Sequence, residues 1–273
     1  MAPWSRAMPP YPLVDRDPPF PIVRPGCAMR LPAIRGVIDR RILINYRVDP
    51  AILSSTLPPP FRPKLQNGYG LAGICLIRLS RVGPRLLPSR LGVSSENAAH
   101  RTAVEWDEGG RVHEGVFVRR RDTSSTVNSL LGGRLFPGIQ HRARFVVSES
   151  SDHLEVAMRS VDGTASLAVV GEVGDRLPPE SVFGSLEEAS EFFRAGALGF
   201  STTQDSERFQ GMELCCRTWQ VEPLQISELR SSWFDDRSVF PTGSIELDCA
   251  LLMRNIEHEW LSRPDLCCST GIS

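Results

Sequence analysis

From residue 38 onward, apolar side chains recur mostly at every second position, the period of a β-strand whose successive residues point to opposite faces. Ile42, Ile44, Tyr46 and Val48 alternate with Leu43, Asn45 and Arg47, so 38–48 reads as a strand with one buried face. Asp49 and Pro50 supply an N-cap and a first-turn proline for a short helix ending near Leu57, which Pro58, Pro59 and Pro60 stop. Asn67-Gly68 is a hairpin turn ahead of a long apolar strand, 69–79. The next hairpin is the best defined. Its strands, beginning at Ser95 and covering 97–106 and 111–120, are joined by Asp107-Glu108-Gly109-Gly110 and are expected to form one wall of the main cavity.

A helix over 124–131 is closed by Gly132-Gly133, and a meander of three strands follows at 139–148, 154–161 and 165–173, with Asp162-Gly163 as a turn. Ser185-Leu186-Glu187-Glu188 is a capping box, which predicts a helix over 186–195. Strands at 212–221 and 244–252 flank a helical turn expected around 227–234. Strands joined by turns this short must pair antiparallel. The fold class is therefore α+β, predominantly antiparallel β, with the sheet curled into a barrel and short helices at its rim.

Composition changes this picture little. The chain is 41% hydrophobic and 23% charged with a formal net charge of -1, enough for one core and without the basic excess of a nucleic-acid partner. Residues 1–34 form a proline-rich extended arm, 35–262 a single domain, and 263–273 a C-terminal tail. The arm lacks the apolar run of a signal peptide or membrane helix, so no membrane partner is expected. It is expected to lie on the surface or on a partner subunit of a homo-oligomer. The seven cysteines are then thiols of a cytoplasmic protein, and no C-x-x-C spacing is present to build a zinc site.

Charge type matters more than charge balance. Lys64 is the one lysine against thirty arginines, and a guanidinium can clamp an anion but cannot act as an amine nucleophile. Lys64 lies between a proline and a turn, where a long cation is expected to point into solvent. Histidines are dispersed, and Glu257-His258-Glu259 has adjacent spacing that makes the side chains diverge, so no metal and no cofactor is expected. No G-x-S-x-G, Walker, G-x-G-x-x-G or H-E-x-x-H motif occurs.

The segments ENAAHRTAVEW, GVFVRRRDTSS, GGRLFPGIQHRARF, SLEEASEFF and LLMRNIEHEW, in that order, resemble the YqjF-like family of uncharacterised conserved proteins within the acetoacetate decarboxylase-like superfamily. The resemblance implies a cone-like β-barrel with a funnel-shaped pocket. It also implies that a pocket strand carries a lysine pair in the decarboxylases, one ammonium lowering the pKa of the other. Here that region reads Arg119-Arg120-Arg121, which keeps the charge and removes the nucleophile.

Two functions are compatible with these residues. In the first, a small carboxylate-bearing or apolar organic molecule is held in the pocket without Schiff-base chemistry, bound by Arg119 and Arg121 with Asn97 and His100. Strict alternation would put Arg119 and Arg121 on one face and Arg120 on the other. In the second, a lysine-independent lyase, hydratase or isomerase acts on a small keto or enol acid, with Glu96 or His141 moving the proton. Asp122, just ahead of the 124–131 helix, and Arg134, just after its glycine pair, are expected to be structural, Asp122 as a helix cap.

Overall fold

The computed structural model describes residues 33–84, 92–126 and 138–267, so the arm, most of the 124–131 helix and Arg134 lie outside the described residues. Thirteen strands form one sheet. They are β1 (Ile34–Val48), β2 (Arg62–Pro63), β3 (Leu65–Gln66), β4 (Tyr69–Pro84), β5 (Val93–Glu108), β6 (Arg111–Thr123) and β7 (Gln140–Glu149). After these come β8 (His153–Ser160), β9 (Ser166–Val173), β10 (Leu198–Thr202), β11 (Arg208–Cys216), β12 (Glu222–Ser231) and β13 (Ile245–Cys267). Two helices, α1 (Pro50–Ser55) and α2 (Leu186–Ala195), complete the described elements.

Local signals work where they are strongest. Asp49 caps α1 by accepting hydrogen bonds from the Ala51 and Ile52 amides at 2.8 and 3.4 Å. Asn67 and Gly68, at φ 48° and 83°, make the left-handed turn into β4. Gly109 and Gly110, at φ 58° and 75°, turn β5 into β6, which pair antiparallel from Asn97–Thr123 to Glu108–Arg111. At α2 the Ser185 hydroxyl accepts from the Glu188 amide at 3.1 Å, and the Glu188 carboxylate accepts from the Gly184 amide at 2.7 Å.

The topology departs from the expected picture in five ways. The sheet is mixed, because β6 pairs in parallel with both β7 and β10. The helical turn expected around 227–234 is largely strand β12, which pairs with β9 and β13. Strand β10 went unrecognised, and β13 runs far past 252, through the boundary at 262 and on to Cys267. Finally, β1 has two buried faces.

That last difference follows from how the pairings close. The path β6-β7-β8-β9-β12-β13-β1-β4-β5 returns to its start through the β5–β6 pairing, and a second path through β10 and β11 returns through the β11–β13 pairing. Strands β13, β1, β4, β5 and β6 belong to both circuits. On one side of them Ile42, Ile44, Ile74, Leu76, Ala98 and Leu252 join side chains of β7–β9 and β12 in the larger core. On the other, Leu43, Cys75, Ala99, Val118, Cys249 and Leu251 pack against Phe183, Ala189, Phe192 and Phe193 on and before α2. Ile42, Leu43, Ile44 and Asn45 are all 0% exposed.

Leu43→Ala is therefore expected to cost about 2–5 kcal/mol, as for any large core deletion, rather than the few tenths of a surface change. Denaturant unfolding of the variant beside Ile42→Ala measures it, and equal losses are the expected result.

Candidate functional site

Three rows of side chains cross the shared strands on the face turned to α2. Registers of β1, β4, β5 and β6 align Asn45, Gly73, Arg101 and Val118 in one row, and Leu43, Cys75, Ala99 and Arg121 in the next. Arg41, Ile77, Asn97 and Thr123 form the third. Among the described residues neither Arg41, Arg101 nor Arg121 has a carboxylate partner, although buried charge is costly unless it is paired.

Arg101 is the most enclosed, at 6% exposure. Gly73 stands between it and Asn45 in the row and has no side chain to interpose; a Cβ there would come within 2.0 Å of the Ile44 carbonyl oxygen. Arg101 Nη2 accordingly donates to Asn45 Oδ1, while Asn45 Nδ2 donates to the Leu43 and Cys249 carbonyls at 3.1 and 3.2 Å. The guanidinium carbon lies 4.9 Å from the Phe193 ring centre, and Arg101 Nε has no acceptor among the described residues. Burial pushes the Arg101 pKa down to about 10, with Cys75 opposing and Arg41 adding to the shift. It remains a cation at neutral pH.

Arg41 is solvated by sulfur and an aromatic ring instead of by acid. Its Nε donates to Cys75 Sγ at 3.2 Å, its Nη1 lies 4.0 Å from Met253 Sδ, and its guanidinium sits 5.6 Å from the Trp219 ring. Arg121 Nε donates to Ser201 Oγ at 3.1 Å, and burial likewise brings its pKa to about 10. Between these strands and α2 lies a cavity of about 30 Å³, lined by Arg41, Leu43, Arg101, Ala103, Glu114, Val116, Phe192 and Phe193. That is room for about two waters.

Lys64 also lines this cavity, contrary to the expectation that it points into solvent. The physical reason is non-local. Pro63 pairs with Val104 and the Lys64 amide donates to the Ala103 carbonyl at 3.0 Å, which lays this stretch along β5 beside the opening. Lys64 Nζ pairs with Glu114 Oε2 and stands 4.7 Å from the Phe192 ring centre.

Of the residues picked from sequence, Arg121 and Asn97 share this face. Asn97 Nδ2 is occupied by Ser95 Oγ at 2.9 Å and by the Ser95 and Ile77 carbonyls. Arg119 does not share it. The β5–β6 register shifts between His100 and Arg101, so Arg119 is the extra residue of a bulge. Its guanidinium lies over Trp233 at 5.0 Å and Phe117 at 5.9 Å, on the face of Arg120. Strict alternation would have required Arg119 to follow Arg121.

The remaining candidates occupy the opposite face. Glu96 accepts from Arg40 at 2.6 Å and Arg78 at 2.5 Å, and both arginines also bind Glu149. Burial alone would raise the Glu149 pKa, but hydrogen bonds and charge from Arg40 and Arg78 hold it below the usual carboxylate range. Asp122, 0% exposed, accepts two hydrogen bonds from Arg120 at 2.8 and 2.9 Å, and the Ser125 amide turns to Thr123 Oγ1 at 3.2 Å. Asp122 thus anchors an arginine, and most of the helix it was expected to cap lies outside the described residues. His141 Nδ1 lies 3.0 Å from Asp162, partly exposed. His100 is 3% exposed with neither ring nitrogen hydrogen-bonded. Glu96 and His141 are therefore not brought together with Arg121, and Arg134 lies outside the described residues.

Reasoning from sequence missed Arg41, Arg101 and Glu114. A signal existed for Arg101, an arginine inside the small apolar run Ala98-Ala99-His100-Arg101-Thr102-Ala103-Val104. Among the described residues no three His, Cys, Asp or Glu side chains gather where a metal ion could be held, and no helix is long and apolar enough to cross a membrane.

Comparison with known proteins agrees with this architecture. The profile of the DUF2071 family, described as uncharacterised conserved protein, matches residues 38–246. No curated protein matches the chain. Among solved structures, acetoacetate decarboxylase from Legionella pneumophila subsp. pneumophila str. Philadelphia 1 is similar at 15% identity and TM-score 0.57, covering 90% of this chain and 93% of that one. An acetoacetate decarboxylase-like enzyme from Sphingomonas wittichii RW1 is similar at 11% identity and TM-score 0.52, covering 87% and 93%. The enduracididine biosynthesis enzyme MppR, complexed with pyruvate, is similar at 13% identity and TM-score 0.51, covering 88% and 92%. At these identities the likeness is one of fold.

Burial lowers the His100 pKa from 6.5 to about 4, helped by the charges of Arg120 and Arg119. Between those values the unfolded chain binds the proton and the folded chain does not, so stability falls as pH drops from about 6.5 to 4. The loss is about 3 kcal/mol, from about 1.4 kcal/mol per pKa unit. His100→Phe is expected to remove its share of that slope and leave the share of His258, whose pKa burial likewise lowers to about 4, as followed by denaturant unfolding at stepped pH.

Proposed function

The chain belongs to the DUF2071 family of uncharacterised conserved proteins, and from that premise we propose that it binds a small carboxylate-bearing organic molecule in the cavity between its shared strands and α2, without forming an imine. The closed pairings of β5 with β6 and of β11 with β13 support reading the sheet as a cone-like barrel, the ligand lying against its common wall. The observation that carries the proposal is Arg101, a buried guanidinium on the cavity wall whose Nε has no acceptor among the described residues and which feels the like charge of Arg41. An acid group there would receive charge-assisted hydrogen bonds and relieve both charges. Arg121, one row away beyond Ala99, adds positive potential to the same face.

The lyase, hydratase or isomerase reading has less support. It needs a free acid or base beside the arginine; Glu96 is held between Arg40 and Arg78 on the far face, and Glu114, the acid that lines the cavity, is paired with Lys64. Lys64, the only amine nucleophile on the wall, is committed to Glu114. MppR is described in complex with pyruvate, a small carboxylate, which is consistent with a fold able to receive one.

Calorimetry with short carboxylic acids and their methyl esters tests the binding claim. Acids are expected to bind and esters not, and Arg101→Met should weaken acid binding by tenfold or more, the worth of about 1.5–3 kcal/mol for a hydrogen bond to a charged group. Equal affinity for acid and ester would leave an apolar pocket as the better account. Borohydride treatment in the presence of acetoacetate is expected to leave the protein mass unchanged; a stable adduct on Lys64 would show imine chemistry instead.

A further inference from the structure

The cavity is short as well as charged. The register of β5 and β6 sets Arg101 against Val118, Ala103 against Val116 and Glu105 against Glu114, so one step from Arg101 along the strands leads to the Ala103–Val116 pair and the next to Glu114. Lys64, whose amide donates to the Ala103 carbonyl, pairs with Glu114 at that second step. Val116 has little freedom to turn aside. Its Cγ1 and Cγ2 atoms lie 3.3 Å from where a Cβ would stand on Gly196 and on Gly199, in the chain just past α2. Phe192 and Phe193 line the space from the side of α2.

An acid whose carboxylate meets Arg101 therefore has the space of about two waters before its tail reaches Val116. Beyond Val116 stands an ion pair, not apolar surface. A longer alkyl chain would have to push Val116 aside or take water from Lys64 and Glu114, and each costs free energy. We propose that the site selects acids of one or two carbons, formate and acetate in size, and that Val116 sets the limit, an inference that rests on the acid-binding reading above. Val116 acts by shape alone. It has no hydrogen-bonding side-chain atom, so trimming it changes the length of acid accepted and leaves the charge on the wall as it is. Ala103, directly opposite, presents only a methyl group and leaves open the space that the short acid fills.

Calorimetry on the full chain with formate, acetate, propanoate, butanoate and pentanoate reads the limit. Formate and acetate are expected to bind, with affinity falling about tenfold or more from acetate to butanoate, the scale of forcing extra methylenes into filled space. Val116→Ala should bring butanoate close to acetate while leaving formate almost unchanged, and Ala103→Val should weaken acetate more than formate. Affinity that stays level or rises with chain length in the native protein would overturn this inference and leave the acid-binding reading standing. So would a length profile that Val116→Ala leaves unmoved, or acetate binding undiminished in Ala103→Val. Binding of none of these acids would overturn both.

Discussion

Over their central residues, strands β1, β4, β5, β6 and β13 are covered on both faces, and the buried polar side chains there have to find their partners inside the protein. The two faces solve this differently. On the side of the larger core, Arg40, Arg78 and Arg120 are matched by Glu96, Glu149, Asp122 and Asp162. On the side of α2, Arg41, Arg101 and Arg121 are surrounded by thiols, a thioether, an amide, a hydroxyl and aromatic rings. Those groups accept hydrogen bonds or offer polarisable surface without cancelling charge. Positive potential therefore accumulates on one face of one wall, and the cavity lies there.

The geometry that holds the arginines is set by small details of the shared strands. Gly73 lets Arg101 reach Asn45 because no Cβ fits beside the Ile44 carbonyl. The bulge at Arg119 decides which members of the arginine run face the cavity, sending Arg119 to Trp233 and leaving Arg121 beside Ser201. On this strand the run Arg119-Arg120-Arg121 carries guanidiniums and no amine nucleophile.

What was legible in the sequence was local. The Asp49 cap, the Asn67-Gly68 and Gly109-Gly110 turns, the β7–β9 meander and the start of α2 all announce themselves within a few residues. What was hidden depends on distant partners. The register of β12 slips between Ile226 and Glu228, which spaces Ile226 and Leu229 like neighbours on a helix. β13 turns through Asn255 at φ 55° and continues past a proline, Pro264, that would ordinarily argue against a strand. Leu43 and Lys64 look exposed by pattern, and only the second circuit of strands and the pairing of β2 with β5 cover them. The site follows the same rule: Asn97, Arg101, Glu114 and Arg121 stand on the conspicuous hairpin, whereas Arg41 and Lys64 join them only through the fold.

The Nε–H of Arg101 is the most direct reporter of the central claim, because it is a buried donor on the cavity wall without an acceptor among the described residues. Nitrogen-15 NMR of the arginine side chains, with the signal assigned through Arg101→Lys, can follow it during titration with sodium acetate and, separately, methyl acetate. A saturable downfield shift of the Arg101 Nε–H with acetate and none with the ester is the predicted result. An unchanged signal up to high millimolar acetate, or the same shift with the ester, would contradict it.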